Sequence, residues 1–215
     1  MITGGTENGM RTPKQERSRR TLDRILDAAA RILETKNFEE LSVAEIVREA
    51  STSVGSFYGR FPDKDALLDA LDARFLAGFE EELLGKLGSK NWVEGSLNGI
   101  VSEAVELLVL LYARNRGLLR SLNLKARIRG DERFRARERR AWKTLYPALQ
   151  NLIVKRLKEE GHPDPVPATA FGFRQMFFAL REFVLWEPLR TGETCELREL
   201  SAELSRAFLA YLRSR

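Results

Sequence analysis

One cysteine, Cys195, and one histidine, His162, stand in a chain of 215 residues. A lone thiol forms no intrachain disulfide, and together with a lone imidazole it leaves no His/Cys metal cluster. Apolar runs are short as well. The longest clean stretch is Leu107 to Tyr112, far below the ~20 residues of a membrane-spanning helix. The first twenty residues hold no apolar core of a secretory signal, so a cytoplasmic protein with no membrane partner is expected. Ile and Val together number 17, against 32 Leu and 21 Ala, which disfavours strands. Gly-rich phosphate loops, paired carboxylates and nucleophile–histidine sets are also missing, so neither an enzyme nor a cofactor or metal is expected.

What is present is charge in blocks and apolar residues at helical spacing. Net charge is +5, yet two segments hold more than that. Arg11 to Arg20 has five basic residues against Glu16, net +4, and Arg114 to Lys143 has twelve against three acids, net +9. A basic arm ahead of a folded domain suits a polyanion such as DNA, although a solvated tail has the same composition. The second block reads as a solvated helical face.

Leu22, Ile25, Leu26, Ala29, Ile32 and Leu33 form the buried stripe of a first helix. Ser42 with Glu45 three residues on is a capping box, and Leu41 can staple onto Ile46 at the start of a short second helix. After Ser51, Thr52 and Ser53, a third short helix runs from Val54 to Phe61. Pro62 and Asp63 then open a long helix carrying Leu67, Leu68, Leu71, Phe75, Phe79 and Leu83. Turn signals divide the remainder into helices near 92–113, 117–128, 131–160, 168–186 and 196–213. The fold class is all-α, with no repeat period.

Two short helices joined by a tight turn and preceded by a third form the plan of a helix-turn-helix. A helix that approaches base edges in a major groove needs small or polar leading residues, as Ser53, Gly55 and Ser56 are. Gly55 is costly in an ordinary helix, and close backbone approach accounts for it. Tyr58, Arg60 and Lys64 add a hydroxyl and positive charge that can reach phosphates. A three-helix packing unit without ligand satisfies the same hydrophobic pattern.

The stretch from Thr21 to Leu71 resembles the N-terminal domain of TetR-type transcriptional regulators. The resemblance runs through Ile25, Leu26, Ala28, Ala29, Leu33, Phe38, Ser42, Val43, Ile46, Ala50, Ser53, Gly55, Ser56, Phe57, Tyr58, Phe61, Lys64, Leu67 and Leu68. It implies a homodimer whose two recognition helices read a palindromic double-stranded operator, and a larger C-terminal helical bundle that binds a small effector and dimerises. Boundaries follow: a flexible arm at 1–16, the helix-turn-helix domain at 17–62, and the effector and dimerisation domain at 63–215. By position, Ser42, Lys64 and Tyr58 are expected on phosphates. Ser53, Val54, Gly55, Ser56 and Phe57 are expected toward bases, and Arg17, Arg19 and Arg20 along the DNA backbone or in a minor groove. Two positions depart from the family. Asn37 and Ser51 stand where glycine is usual; Asn tolerates positive φ, while a left-handed Ser costs ~1 kcal/mol.

In the C-terminal part, the helix from Ala168 to Trp186 has more apolar surface than one packing face needs, and Leu197, Leu200, Leu204, Phe208 and Tyr211 form a seam on the last helix. A four-helix interface across a twofold axis would use Phe177, Val184, Leu200, Leu204, Phe208 and Tyr211; filling a monomeric core is the other use of the same stripe. Tyr112, Trp142, Tyr146, Gln175 and Phe178 are the candidate effector contacts, because aromatic bodies with polar tips suit an apolar ligand held by a few hydrogen bonds. His162 falls in a solvated loop. Cys195, near a helix start, is open to a redox role as well as to simple packing. The expected function is a ligand-responsive repressor released by a small, largely apolar effector. An architectural DNA-binding protein without an effector is the alternative.

Overall fold

The computed structural model describes residues 13–128, 132–186 and 196–214. Helix is the only regular structure among them, as the leucine- and alanine-rich composition requires. The chain divides into two compact units, Met1–Ala70 and Leu71–Arg215. Cys195 lies outside the described residues.

The first unit contains α1 (Pro13–Leu33), α2 (Val43–Glu49), α3 (Val54–Tyr58) and the start of α4 (Lys64–Leu87). The α1 helix begins inside the stretch expected to be a flexible arm, with Pro13 at a first-turn position where the missing N–H costs nothing. Ile25, Leu26, Ala29 and Leu33 of the expected stripe are buried, together with Ala28, and face a core completed by Phe38, Leu41, Ile46, Val47, Ala50, Phe57, Phe61, Leu67 and Leu68. The capping box forms: Ser42 Oγ accepts from the Glu45 N–H at 3.2 Å, and the Ser42 N–H donates to Glu45 Oε2 at 3.3 Å.

The turn between α2 and α3 explains Ser51. The Thr52 N–H reaches Val47 O at 2.9 Å and the Ser51 N–H reaches Arg48 O at 3.1 Å, the paired bonds of a Schellman C-cap. That motif puts the residue after the cap in the left-handed region, and Ser51 has φ 48°. Arg24 of α1 donates to the Ser51 carbonyl at 3.3 Å and pins the turn. Asn37 does not need the left-handed tolerance expected of it, since Ser51 is the positive-φ non-glycine among the described residues.

The second unit comprises the rest of α4 with α5 (Lys90–Val93), α6 (Leu97–Arg114), α7 (Arg116–Ile128), α8 (Glu132–Glu159), α9 (Pro165–Leu185) and α10 (Leu197–Arg213). At its centre is α6, which packs on α10, α9, α8, α7 and α5 and buries Leu97, Ile100, Val101, Ala104, Val105, Leu108, Val109 and Leu111. The single helix expected over 92–113 is broken before α6. A Cβ on Gly95 would lie 1.9 Å from Asn91 O, and Ser96 then N-caps α6 by accepting the Gly99 N–H at 3.2 Å. Arg156 of α8 closes the break, donating to Gly95 O at 2.7 Å and Val93 O at 2.6 Å.

The α10 seam points inward, which corrects its assignment to a dimer face. Leu200, Leu204 and Phe208 are buried within their own unit, as is Val184 of α9. The contact is tight: a Cβ on Gly172 would come 2.5 Å from the Phe208 ring. Tyr211 is half-buried, with its ring 5.5 Å from that of Phe171. On α9 and α10 the large apolar side chains that remain exposed are Val166, Phe171, Phe178, Phe183 and Leu197. In the basic block, Arg127, Arg135, Arg139, Arg140 and Lys143 are exposed, while Arg116, Arg120 and Lys125 are half-buried. His162 is not a solvated imidazole either; its Nδ1 accepts the N–H of Asp164, the N-cap of α9, at 3.0 Å.

Candidate functional site

In the helix-turn-helix the five-residue α3 is too short to be stable alone and is held by its ends and by one anchor. Ser53 caps it, its hydroxyl accepting the Ser56 N–H at 3.1 Å and donating to Ser56 Oγ at 3.1 Å. Phe57 is the anchor. It is fully buried, edge-on to Tyr58 at 5.3 Å and tilted against Phe61 at 5.5 Å, so it cannot face bases as the sequence reading had it. With Phe57 turned inward, the outer face presents Ser53, Val54, Gly55 and Tyr58 to solvent, with Ser56 half-buried beside them. Val54 is 48% and Tyr58 55% exposed, large apolar surface that no packing among the described residues explains. Nor does packing explain Gly55, because a Cβ there would meet Ser53 Oγ at an ordinary 3.9 Å.

The cations around this face divide into two kinds. Arg17 and Arg19 are exposed on α1 with no ion pair among the described residues. Arg20 pairs with Glu16 at 2.6 Å, but both are solvated, and such a pair is worth ~0–1 kcal/mol and yields readily to a phosphate. Arg60 is engaged: it donates to Ser56 O at 2.8 Å and to Ser18 O and Oγ at 3.2 Å, tying α3 to α1. Lys64 is not placed as a phosphate contact. Its ammonium donates to Leu41 O at 2.7 Å, Glu39 O at 3.4 Å and Phe38 O at 3.5 Å, and lies 5.3 Å from the centre of the Phe38 ring. Those bonds use its three protons on the turn before α2.

Ser42 is similarly occupied, since its hydroxyl donates to Glu45 Oε2 at 2.9 Å. Glu45 also pairs with Lys36, and that hydrogen bond, with those from Ser42, lowers its pKa to about 2. A firmly ionised carboxylate therefore stands at the start of α2, where the resemblance had implied a phosphate.

The second unit holds a cavity of about 420 Å³ lined by Tyr112 of α6, Tyr146 of α8, and Ala170, Phe173, Arg174, Phe177, Phe178 and Arg181 of α9. Tyr112, Tyr146 and Phe178 were expected here. Gln175 is exposed elsewhere on α9, and the Trp142 side chain lies outside the described residues. Phe177, assigned to the dimer face, belongs to the cavity wall and stacks on Phe173 at 6.2 Å. Tyr146 stands edge-on to Phe173 at 5.2 Å. Burial pushes its phenol above the ordinary range, against the opposing Arg174 charge, so it remains a neutral hydroxyl. Sequence reasoning missed Arg174 and Arg181 as lining groups; their spacing of seven, which repeats one helical face, was the available signal.

Behind the cavity lies a smaller apolar void of about 20 Å³, bounded by Phe79 and Leu83 of α4 and sharing Tyr146, Phe173 and Phe177 with the larger space. No helix of the described residues is long and apolar enough to cross a membrane, and they contain no cluster of metal-ligating side chains.

Residues 25–71 match the family model of bacterial regulatory proteins of the tetR family. Curated relatives include the nucleoid occlusion factors SlmA of Shewanella pealeana and Shewanella amazonensis. The first is 25% identical over 65% of this chain and 68% of its own length; the second is 26% identical over 69% and 72%. Among solved structures, the fatty acid degradation regulator FadR of Bacillus halodurans superposes with a TM-score of 0.66 at 14% identity, covering 95% of this chain and 97% of that one. A TetR-like regulator of Rhodococcus sp. RHA1 gives 0.62 at 17% identity, over 95% and 100%. Those likenesses extend the all-α fold over 95% of the chain, and residues 25–71, which hold its helix-turn-helix, are what is similar to the tetR family.

Proposed function

We propose that the protein is a ligand-responsive repressor that binds a palindromic operator as a homodimer and releases it when a small, largely apolar molecule fills the cavity of the second unit. The observation that carries this reading is the cavity. It is an open cleft of about 420 Å³ walled by aromatic rings, within the ~300–1,000 Å³ of ligand pockets. Phe173 and Phe177 separate the cavity from the smaller void against Phe79 and Leu83, so an occupant that displaces these rings presses on α4. Since α4 begins at Lys64, it is continuous with the DNA-reading unit. A dimer that must match two half-sites at fixed spacing is sensitive to small tilts of such a helix. Exposed Phe171, Phe183 and Leu197 offer apolar surface for the twofold contact.

The similarity to nucleoid occlusion factors supports the architectural reading, in which DNA binding needs no effector. Two measurements separate the readings. Footprinting of genomic fragments gives discrete palindromes for a repressor and extended coverage for an architectural protein. Calorimetry of a cavity ligand, with and without operator, gives a loss of roughly 5- to 150-fold in ligand affinity if the sites are coupled. Equal affinities would refute the repressor mechanism.

A further inference from the structure

We propose that the cavity selects an amphipathic anion, a molecule with an apolar body and an acidic head group held between Arg174 and Arg181. The proposal rests on reading this cavity as the effector site, and it specifies the ligand class. Among the described residues the lining is aromatic apart from Ala170 and these two arginines, and includes no carboxylate. Elsewhere in the same unit arginines find acids: Arg114 with Glu82, Arg156 with Glu159, Arg206 with Glu203 and Arg213 with Glu160. Arg174 and Arg181 have no such pair among the described residues.

Arg181 is held in place without being neutralised. Its guanidinium carbon lies 5.2 Å from the centre of the Phe178 ring, and Nη1 donates to the amide oxygen of Asn123 at 3.4 Å. A ring face and a neutral amide fix the orientation, and among the described residues no acid compensates the charge. Arg174 is two turns earlier on the same helix, ~10 Å along the axis at 1.5 Å per residue, beside the Tyr146 phenol. Arg174 is exposed and Arg181 half-buried; a half-buried guanidinium with no counter-ion among the described residues favours an incoming anion more than it would in bulk water, and the planar fork of both arginines suits a carboxylate or a phosphate. An apolar neutral molecule would fill the aromatic space and leave both charges unanswered. An organic cation would meet repulsion from both.

The test is calorimetric titration of the full chain with decan-1-ol, decanoate and decyl phosphate, which share an alkyl body and differ in head group. At least one of the two anions is expected to bind tenfold or more tightly than the alcohol, and the tighter one identifies the head group. In an Arg174→Met/Arg181→Met variant that preference should fall below about threefold while the alcohol's affinity stays within about threefold, which certifies an intact cavity. Should the Met pair fail to fold, Arg174→Lys/Arg181→Lys keeps the charge without the fork and should retain a reduced preference. Alcohol binding equal to both anions, a preference that survives the Met pair, loss of all preference in a folded Lys pair, or no binding by any of the three overturns the proposal. Anion selectivity with unchanged operator affinity would leave the site standing and remove the repressor mechanism.

Discussion

Replacing Gly55 with Ala should move stability and DNA affinity in opposite directions. In the free protein the new methyl has room, with its nearest contact 3.9 Å away at Ser53 Oγ, and Gly55 does not use a positive φ. The substitution therefore removes conformational freedom from the unfolded chain at no steric cost, a gain of ~0.4–1 kcal/mol. The lower end applies, because the residue is in the first turn of a five-residue helix. On DNA the account reverses. If α3 brings its backbone against base edges, a methyl at this position overpacks the interface by ~1–3 kcal/mol, roughly a 5- to 150-fold loss of affinity. Urea unfolding of the first unit and fluorescence anisotropy on the footprinted operator measure the two effects on one preparation. Unchanged operator affinity would show that Gly55 is not at the interface, and the outer face of α3 would lose its assignment. A destabilised variant would contradict the open space around Gly55.

Lys64→Met should lower the stability of the first unit by ~1–2 kcal/mol, since carbonyls of Phe38, Glu39 and Leu41 lose a charged donor. The salt dependence of DNA affinity should remain unchanged, and a slope reduced by about one would reinstate Lys64 as a phosphate contact. Glu45 predicts an acid limb. Its folded-state pKa of about 2 is below the ordinary 4.5, so its contribution is present above pH 4.5 and is lost as pH falls toward 2. In Glu45→Gln, circular-dichroism titration should show a flatter loss of stability over that interval; an unchanged limb would assign the acid sensitivity to other carboxylates.

The helices were legible because periodicity and caps are local properties. Ser42 with Glu45 announced a cap that forms, and Ser51 announced a left-handed turn that is present. What periodicity cannot name is the surface that receives a stripe. Leu200, Leu204 and Phe208 recur as a seam would, yet α6 and α9 of the same protomer receive them. Glutamates at Leu204 and Phe208 would unfold the protomer before they tested a dimer. Phe57 follows Ser56, which was expected toward bases, by a single step, and one step in a helix is a turn of ~100°, enough to exchange solvent for core. A sequence displays the charge of Lys64 but not the three carbonyls that absorb it. Arg174 and Arg181 stand seven residues apart on one helix, a spacing the sequence displays, and only the placement of Tyr112 and Tyr146 beside them makes a cleft.

The four-residue α5 would have almost no persistence by itself. Arg156 changes that, because one guanidinium fastens carbonyls 61 and 63 positions earlier in the chain, one inside the break before α6 and one at the end of α5. Trp92 is sunk in the core below it, with its indole N–H bonded to Glu103 at 2.8 Å. The amides of Val93 and Glu94, bonded to Ser89 O and Lys90 O, should therefore exchange with solvent more slowly than those of an unsupported helix of this length. Such a junction joins late in folding, after the long-range loop between α5 and α8 has closed, and a nick or insertion at Gly95 would loosen the C-terminal turns of α8 on the far side of the sequence.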